Sequence, residues 1–164
     1  MDENNVSLIT DEARALIGAE TGYGEPYHIE KAVVDRFLEA IGDNNPLFFD
    51  GEYAADSWYG GLAVPPNFLL TNLKSGTERD FFTVNAQGEL SFPVNAKRRL
   101  RGADEIEILL PLNIGDTVCA NTRITDIYEK EGRSGRMVFI LSETSYKNQN
   151  EQIVMISRST IIMR

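Results

Sequence analysis

Histidine and cysteine are almost absent from this chain of 164 residues, which contains one of each, His28 and Cys119. A single cysteine excludes an internal disulfide and a cysteine-ligated metal cluster, and we predict no metal site. No histidine lies near Cys119 in sequence, so we expect its thiol to pack as a small apolar group in a strand. His28 lies outside any partner motif, and we interpret it as an ordinary half-exposed residue.

Long apolar runs are also absent, and residues 1–5 are acidic where a secretory signal would be basic. These two absences favour a cytoplasmic protein that does not enter a membrane. Basic residues are few, since 16 Lys and Arg oppose 25 Asp and Glu and give a formal net charge of −9. That balance argues against general binding to nucleic acid or to an anionic membrane surface.

The length and an ordinary globular composition, 42% hydrophobic and 25% charged, predict one domain over residues 1–164. Residues 1–26 are expected to form an N-terminal helical extension, because residues 10–18 combine a Thr cap, an acidic first turn and a closing glycine. Residues 33–41 form an amphipathic pattern with Phe37, Leu38 and Ile41 on one face, and Gly42 supplies a left-handed ending.

A second helix is predicted to open at Pro65-Pro66 and to run to Gly76. It is apolar on nearly every side, which is typical of a buried helix. From Asp104 onward the apolar period changes to two, over residues 104–110, 117–128, 136–146 and 152–163. The pattern over residues 77–95 fits either strand edges or a loop. The prediction is an α+β fold in which an antiparallel sheet curls around the central apolar helix.

The turn after the first long helix carries a motif. Its sequence Gly42-Asp43-Asn44-Asn45-Pro46-Leu47 resembles the Gly-Asp-x-Asn-Pro-Leu-His signature of MaoC-like hot-dog proteins, which include (R)-specific enoyl-CoA hydratases and 3-hydroxyacyl dehydratases. The resemblance implies a single hot-dog fold. It also implies a carboxylate and a histidine that activate water for addition to a trans-2-enoyl thioester, and a backbone amide that holds the thioester oxygen.

The chain departs from this signature at two positions. Phe48 stands where the signature has its histidine, and a phenyl ring can neither take nor give a proton. Pro66 stands where the hydratases have the glycine whose N–H binds the oxyanion, and proline has no N–H. Loss of one such donor typically costs about a hundredfold or more in rate.

The run from Tyr59 to Pro66 is similar to an N-terminal dehydratase-type branch of this superfamily. Members of that branch pair with a second hot-dog unit that carries the Asp and the His. The missing histidine at Phe48, the missing N–H at Pro66 and this likeness together predict a half-site, which binds substrate without transferring protons.

The resemblance also proposes site residues. Asp43 is the candidate catalytic group, with a turn carboxylate bonded to backbone N–H groups as the alternative. The candidate substrate-binding residues are Asn45, Phe48, Gly61, Pro66 and Phe68; for the two phenylalanines, plain core packing is the alternative. Arg98, Arg99 and Arg101 belong to the one basic cluster, which we interpret either as a contact for coenzyme A phosphates or as a solvated strand end.

The favoured function is an acyl-binding, non-catalytic subunit of a heteromeric enoyl-CoA hydratase or 3-hydroxyacyl thioester dehydratase. One alternative is a self-sufficient homodimeric hot-dog thioesterase or hydratase that uses Asp43; another is a non-catalytic acyl-CoA-binding protein. No cofactor is predicted apart from coenzyme A as part of the acyl-CoA substrate. The expected protein partner is a MaoC-type catalytic subunit or a second copy of the chain.

Overall fold

A five-stranded antiparallel sheet consists of four long strands between residues 99 and 163 and one two-residue strand from the N-terminal third of the chain. The computed structural model describes residues 7–73, 75–84, 90–133 and 135–164. The strands of the sheet are β1 (Tyr27–His28), β4 (Arg99–Ile108), β5 (Thr117–Gly132), β6 (Gly135–Asn148) and β7 (Ile153–Met163). Their order across the sheet is β1-β5-β6-β7-β4. Two short strands, β2 (Thr83–Val84) and β3 (Leu90–Ser91), pair separately.

Three irregularities in strand register help the long sheet to curl. They lie between Arg101 and Ala103 in β4, between Ile124 and Asp126 in β5, and between Ile153 and Met155 in β7, opposite Lys147 and Tyr146. Each bends the strand and increases its local twist. The predicted curled antiparallel sheet is therefore confirmed.

The helices lie on one face of this sheet. They are α1 (Asp11–Ala15), α2 (Lys31–Ile41), α3 (Pro46–Phe49), α4 (Gly51–Ala55) and α5 (Phe68–Asn72), and a 3-10 helix follows at Glu78–Phe81. The end of α2 is as predicted, since Gly42 has φ +69° and its N–H bonds to the carbonyl oxygen of Glu39. Ile41 is the exception on the predicted apolar face, because it lies in the last turn and is 48% exposed.

The apolar helix α5 is shorter than the sequence predicts. Pro65 and Pro66 precede it in a turn, and the Phe68 N–H bonds to the Pro65 carbonyl oxygen at 2.9 Å. At the other end, Thr71 Oγ1 and Asn72 Nδ2 both donate to the Phe68 carbonyl oxygen. Such side chains compete with the backbone for helix acceptors, which accounts for a helix that ends before Gly76.

Two apolar clusters fill the space between the helices and the sheet. The first joins α2 and α5 to one half of the sheet, and the second joins α1, Phe82 and Phe92 to the other half. Buried hydroxyl side chains lie on the same face of the sheet, at Thr122, Ser142, Thr144, Ser157 and Ser159. The predicted apolar face of β5 is confirmed, because Val118, Ala120, Thr122 and Ile124 all have 0% exposure.

The N-terminal segment packs against the second cluster. Thr10 caps α1 by accepting the Ala13 N–H at 3.0 Å, and Ala13 is fully buried. In the part of the chain that the structure describes, no helix has the length and apolarity needed to cross a membrane.

Candidate functional site

The motif turn after α2 is held by its own side chains. The Asp43 carboxylate accepts the Asn45 N–H at 3.0 Å, and the Asn45 side-chain oxygen accepts the Leu47 N–H at 3.1 Å, which caps α3. Pro46 occupies the first turn of α3, where its missing N–H needs no partner. Asp43 is thus a partly buried turn carboxylate with one backbone donor. A catalytic role for it stays a prediction.

Phe48, at the histidine position of the motif, lies in the first apolar cluster and is only 7% exposed. The one imidazole of the chain belongs to His28, an exposed residue of β1 whose Nδ1 lies 3.3 Å from Thr117 Oγ1. Position 48 therefore contributes packing, and it supplies no proton-transfer group beside Asp43.

The segment from Tyr59 to Pro66 is held by the turn that precedes β5. The N–H of Val64 bonds to the Leu112 carbonyl oxygen, and the Asn113 side-chain amide donates to the Tyr59 carbonyl oxygen at 2.9 Å. Gly61 lies against this Asn113 amide, since a Cβ built at Gly61 would be 3.4 Å from Asn113 Nδ2. These contacts fix the approach to α5.

An apolar pocket of about 20 Å³ opens between α5 and β4. Its exposed or partly exposed lining residues are Tyr59, Pro66, Ile108 and Leu110, whereas its buried lining is formed by Val64, Pro65, Leu69, Leu112, Val154 and Met155. Pro66 is the one predicted substrate-binding residue that reaches this pocket. Phe68 does not, because its side chain is fully buried and its ring packs edge-on against Phe37, with the ring centroids 5.5 Å apart.

A second, charged pocket of about 290 Å³ lies between the same two elements. Its lining residues are Asn67, Leu70, Thr71, Glu78, Arg79, Arg99, Arg101 and Asp104. The two pockets have no lining residue in common. Because both are bounded by α5 on one side and by β4 on the other, we refer to them together as the α5–β4 groove. The groove has an apolar end at Pro66 and Ile108, and a cationic end at Arg79 and Arg99.

The arginines of the cationic end differ in their partners. Arg101 is clamped, since its Nε lies 2.8 Å from Asp104 Oδ2 and its Nη1 lies 2.7 Å from Glu78 Oε1. Arg99 lies over the Phe82 ring, with its guanidinium carbon 5.1 Å from the ring centroid. Among the described residues, neither Arg79 nor Arg99 forms an ion pair. These two cations are therefore available to an anion.

The contact between Arg101 and Asp104 shifts the pKa values of both groups. The hydrogen bonds that Arg101 donates to Asp104 raise the pKa of Arg101 above its usual range. Burial acts against ionisation of Asp104, but the bonds from Arg101 and Ser159 outweigh it, and the pKa of Asp104 is lowered. Burial lowers the pKa of Arg99. A clamped Arg101 is an organising residue of the groove, which orients β4 toward the 3-10 helix.

The predicted basic cluster is divided by the strand. Arg99 and Arg101 line the groove, whereas Arg98 precedes β4 and pairs through its backbone with Arg164. The motifs did not reveal Arg79, Ile108 or Met155 as pocket residues. Arg79 belongs to no motif. Ile108 and Met155 meet only because β4 pairs with β7, which local pattern does not disclose.

Comparison with known proteins adds the family. A family model described as "FAS1-like, dehydratase domain region" matches residues 15–157. A UPF0336 protein of Thermobifida fusca (strain YX) is 29% identical over 119 residues, which is 73% of this chain and 74% of the relative.

Solved structures share the fold. The C-terminally truncated HadBC complex, a 3R-hydroxyacyl-ACP dehydratase of Mycobacterium tuberculosis, matches with a TM-score of 0.72 at 21% identity, over 90% of this chain and 96% of that chain. The ChsH1-ChsH2 complex of Mycobacterium tuberculosis matches with a TM-score of 0.67 at 19% identity, over 93% of this chain and 89% of that chain. The family model covers most of the residues that build the sheet, the motif turn and the groove, and the chain therefore belongs to the FAS1-like dehydratase-region family.

Proposed function

We propose that this chain is the acyl-binding, non-catalytic subunit of a heteromeric enoyl-thioester hydratase or 3-hydroxyacyl thioester dehydratase. One observation carries the proposal: the chain has a groove suited to a thioester, while the position that should carry the catalytic imidazole holds Phe48, buried in the core. Hydration of an enoyl thioester adds water across the C2–C3 double bond. It needs a base that takes a proton from the attacking water and an acid that gives a proton to C2. Asp43 alone does not form such a pair.

The residues at the start of α5 also favour a partner subunit that supplies the catalytic groups. In this chain Pro66 lines the apolar end of the groove and offers no N–H to a thioester oxygen. The Phe68 N–H is already bonded to Pro65. The oxyanion donor, like the proton-transfer pair, is expected from a partner subunit. The names of two structural neighbours describe assemblies, the HadBC complex and the ChsH1-ChsH2 complex, and this favours a hot-dog partner for this chain.

The groove suggests how the ligand lies. Its apolar end would hold the acyl group, and its cationic end would hold a phosphate of coenzyme A or of a carrier-linked phosphopantetheine. For that phosphate contact we select Arg99, from the predicted cluster, and add Arg79, because neither guanidinium is neutralised by a carboxylate in the described part of the chain. Arg101 would act by holding β4 in place through Asp104 and Glu78.

The test is hydration of crotonyl-CoA, followed as loss of enoyl absorbance. The purified chain is assayed alone and after co-expression with a MaoC-type protein whose reading frame is adjacent and keeps an intact Gly-Asp-x-Asn-Pro-x-His. We expect activity only in the co-purified pair. Activity of the chain alone would instead support a self-sufficient enzyme that uses Asp43. Acyl-CoA binding without activity in either sample would support a binding protein.

A further inference from the structure

We infer that Met155 limits the length of the acyl group in the α5–β4 groove, so that the site selects thioesters of short acyl chains. This inference rests on the proposed function, because it requires the apolar end of the groove to hold the acyl group.

The apolar end of the groove is small. Its volume of about 20 Å³ is close to that of a single water-sized sphere. The carbonyl and the reacting carbons of the thioester must lie at the mouth, where partner groups can reach them. The remaining space holds about one methyl-sized group. Crotonyl and butyryl groups meet this limit, and longer chains exceed it.

One wall of the pocket is formed by β7, whose lining residues Val154 and Met155 are 1% and 4% exposed. The backbone there is fixed, because the Val154 carbonyl oxygen accepts both the Leu109 N–H at 2.8 Å and the Leu110 N–H at 3.2 Å. Met155 is the unbranched, flexible side chain of this wall, so its length rather than the backbone sets the depth of the pocket.

In the sheet, Met155 stands between Ile108 of β4, at the mouth, and Tyr146 of β6. Tyr146 is 2% exposed, and its hydroxyl lies 3.3 Å from Ser157 Oγ. Shortening Met155 to alanine removes three side-chain heavy atoms, and we expect the buried Tyr146 of the same apolar cluster to limit the space so opened. The gain in depth is therefore two or three carbons.

The experiment measures binding of coenzyme A, butyryl-CoA, octanoyl-CoA and dodecanoyl-CoA to the full chain by isothermal titration calorimetry. The wild type should bind butyryl-CoA more tightly than coenzyme A and should gain nothing from further carbons. Since each newly buried methylene is worth about 0.8 kcal/mol, Met155→Ala should bind octanoyl-CoA roughly 15- to 60-fold more tightly than the wild type does.

Met163→Ala is the matched control. Met163 lies on the same strand and is 1% exposed, but it belongs to the second apolar cluster. It should lower stability as much as Met155→Ala and leave chain-length preference unchanged. Met155→Val makes a smaller cavity and should shift the preference in the same direction, which keeps the test available if the alanine variant does not fold.

The binding results distinguish a failure of the role of Met155 from a failure of the proposed acyl-binding function. Acyl-CoA binding that strengthens steadily from butyryl to dodecanoyl in the wild type, or a preference that neither Met155 variant changes, would overturn the role of Met155 alone. Equal affinity for coenzyme A and every acyl-CoA, or no binding of any of them, would overturn the proposed acyl-binding function together with this inference.

Discussion

Restoring the histidine of the motif by Phe48→His is expected to damage the fold without creating an active site. Phe48 is 7% exposed, so the substitution loses most of a buried phenyl ring, worth about 1.5–3 kcal/mol. It also leaves imidazole nitrogens in an apolar cluster, at a cost of about 1–3 kcal/mol if they remain unpaired. The free energy of unfolding should therefore fall by about 3–5 kcal/mol, in the range of other large core truncations.

The prediction has a distinct pH dependence. Burial disfavours the charged imidazolium, so the folded-state pKa of the new histidine lies below its unfolded value of about 6.5. Below that pH the unfolded chain binds a proton that the folded chain does not, and the destabilisation grows. Above it, only the packing loss remains.

The measurements are urea unfolding at pH 8 and pH 5.5, and the crotonyl-CoA assay on the variant alone. Phe49→His is the matched control, because Phe49 is the next residue and is 45% exposed. Its cost should stay within about 0.5–1 kcal/mol. A Phe48→His protein with wild-type stability and with hydratase activity in the absence of a partner would refute the placement of position 48 in the core.

Three further results are expected. Arg79→Ala should weaken binding of coenzyme A about fivefold and reduce its salt dependence, as measured by calorimetry at two ionic strengths. The groove then loses a cation that forms no ion pair with any residue the structure describes. Gly76→Ala should lower the free energy of unfolding, measured in urea, by about 2 kcal/mol more than Gly18→Ala does. Both glycines have positive φ, so alanine is strained at either position. At Gly76 the added Cβ would also collide with a backbone carbonyl of β5, whereas at Gly18 it would meet no atom. Asp104→Asn should lower the free energy of unfolding by about 1 kcal/mol at pH 7, because it removes the ion pair between Asp104 and Arg101. In the wild type, protonation of Asp104 removes the same ion pair, so the difference between the two proteins should disappear as the pH falls through the lowered pKa of Asp104.

Much of the fold could be predicted from local pattern. The alternation on β5 identified its buried face, and the amphipathic repeat with Gly42 located α2 and its end. Both signals depend on neighbouring residues of one element, which the sequence shows directly. The length of α5 could not be read in this way, because Thr71 and Asn72 turn their side chains back to the Phe68 carbonyl.

The site was less accessible to sequence analysis than the fold. The motif located the turn at Asp43, whose carboxylate does accept a backbone N–H, as the structural alternative proposed. The motifs do not predict that Ile108 and Met155 line the apolar pocket. Met155 lies opposite Ile108 only through the β4–β7 pairing, and their separation along the chain hides that contact. The same holds for Arg79, which reaches the groove from the 3-10 helix and belongs to no motif.

The central claim is that this chain holds the acyl thioester while a partner moves the protons, and Asp43→Asn in the active co-purified complex tests it most directly. Asp43 makes one turn hydrogen bond to Asn45, which an asparagine side-chain oxygen can also accept, so the variant should fold. We expect the complex with Asp43→Asn to retain its crotonyl-CoA hydration rate within about threefold, whereas the same Asp→Asn change in the partner's intact motif should lower it by about a hundredfold or more. A loss of that size from Asp43→Asn, with the complex still assembled, would contradict the account and make Asp43 a catalytic group.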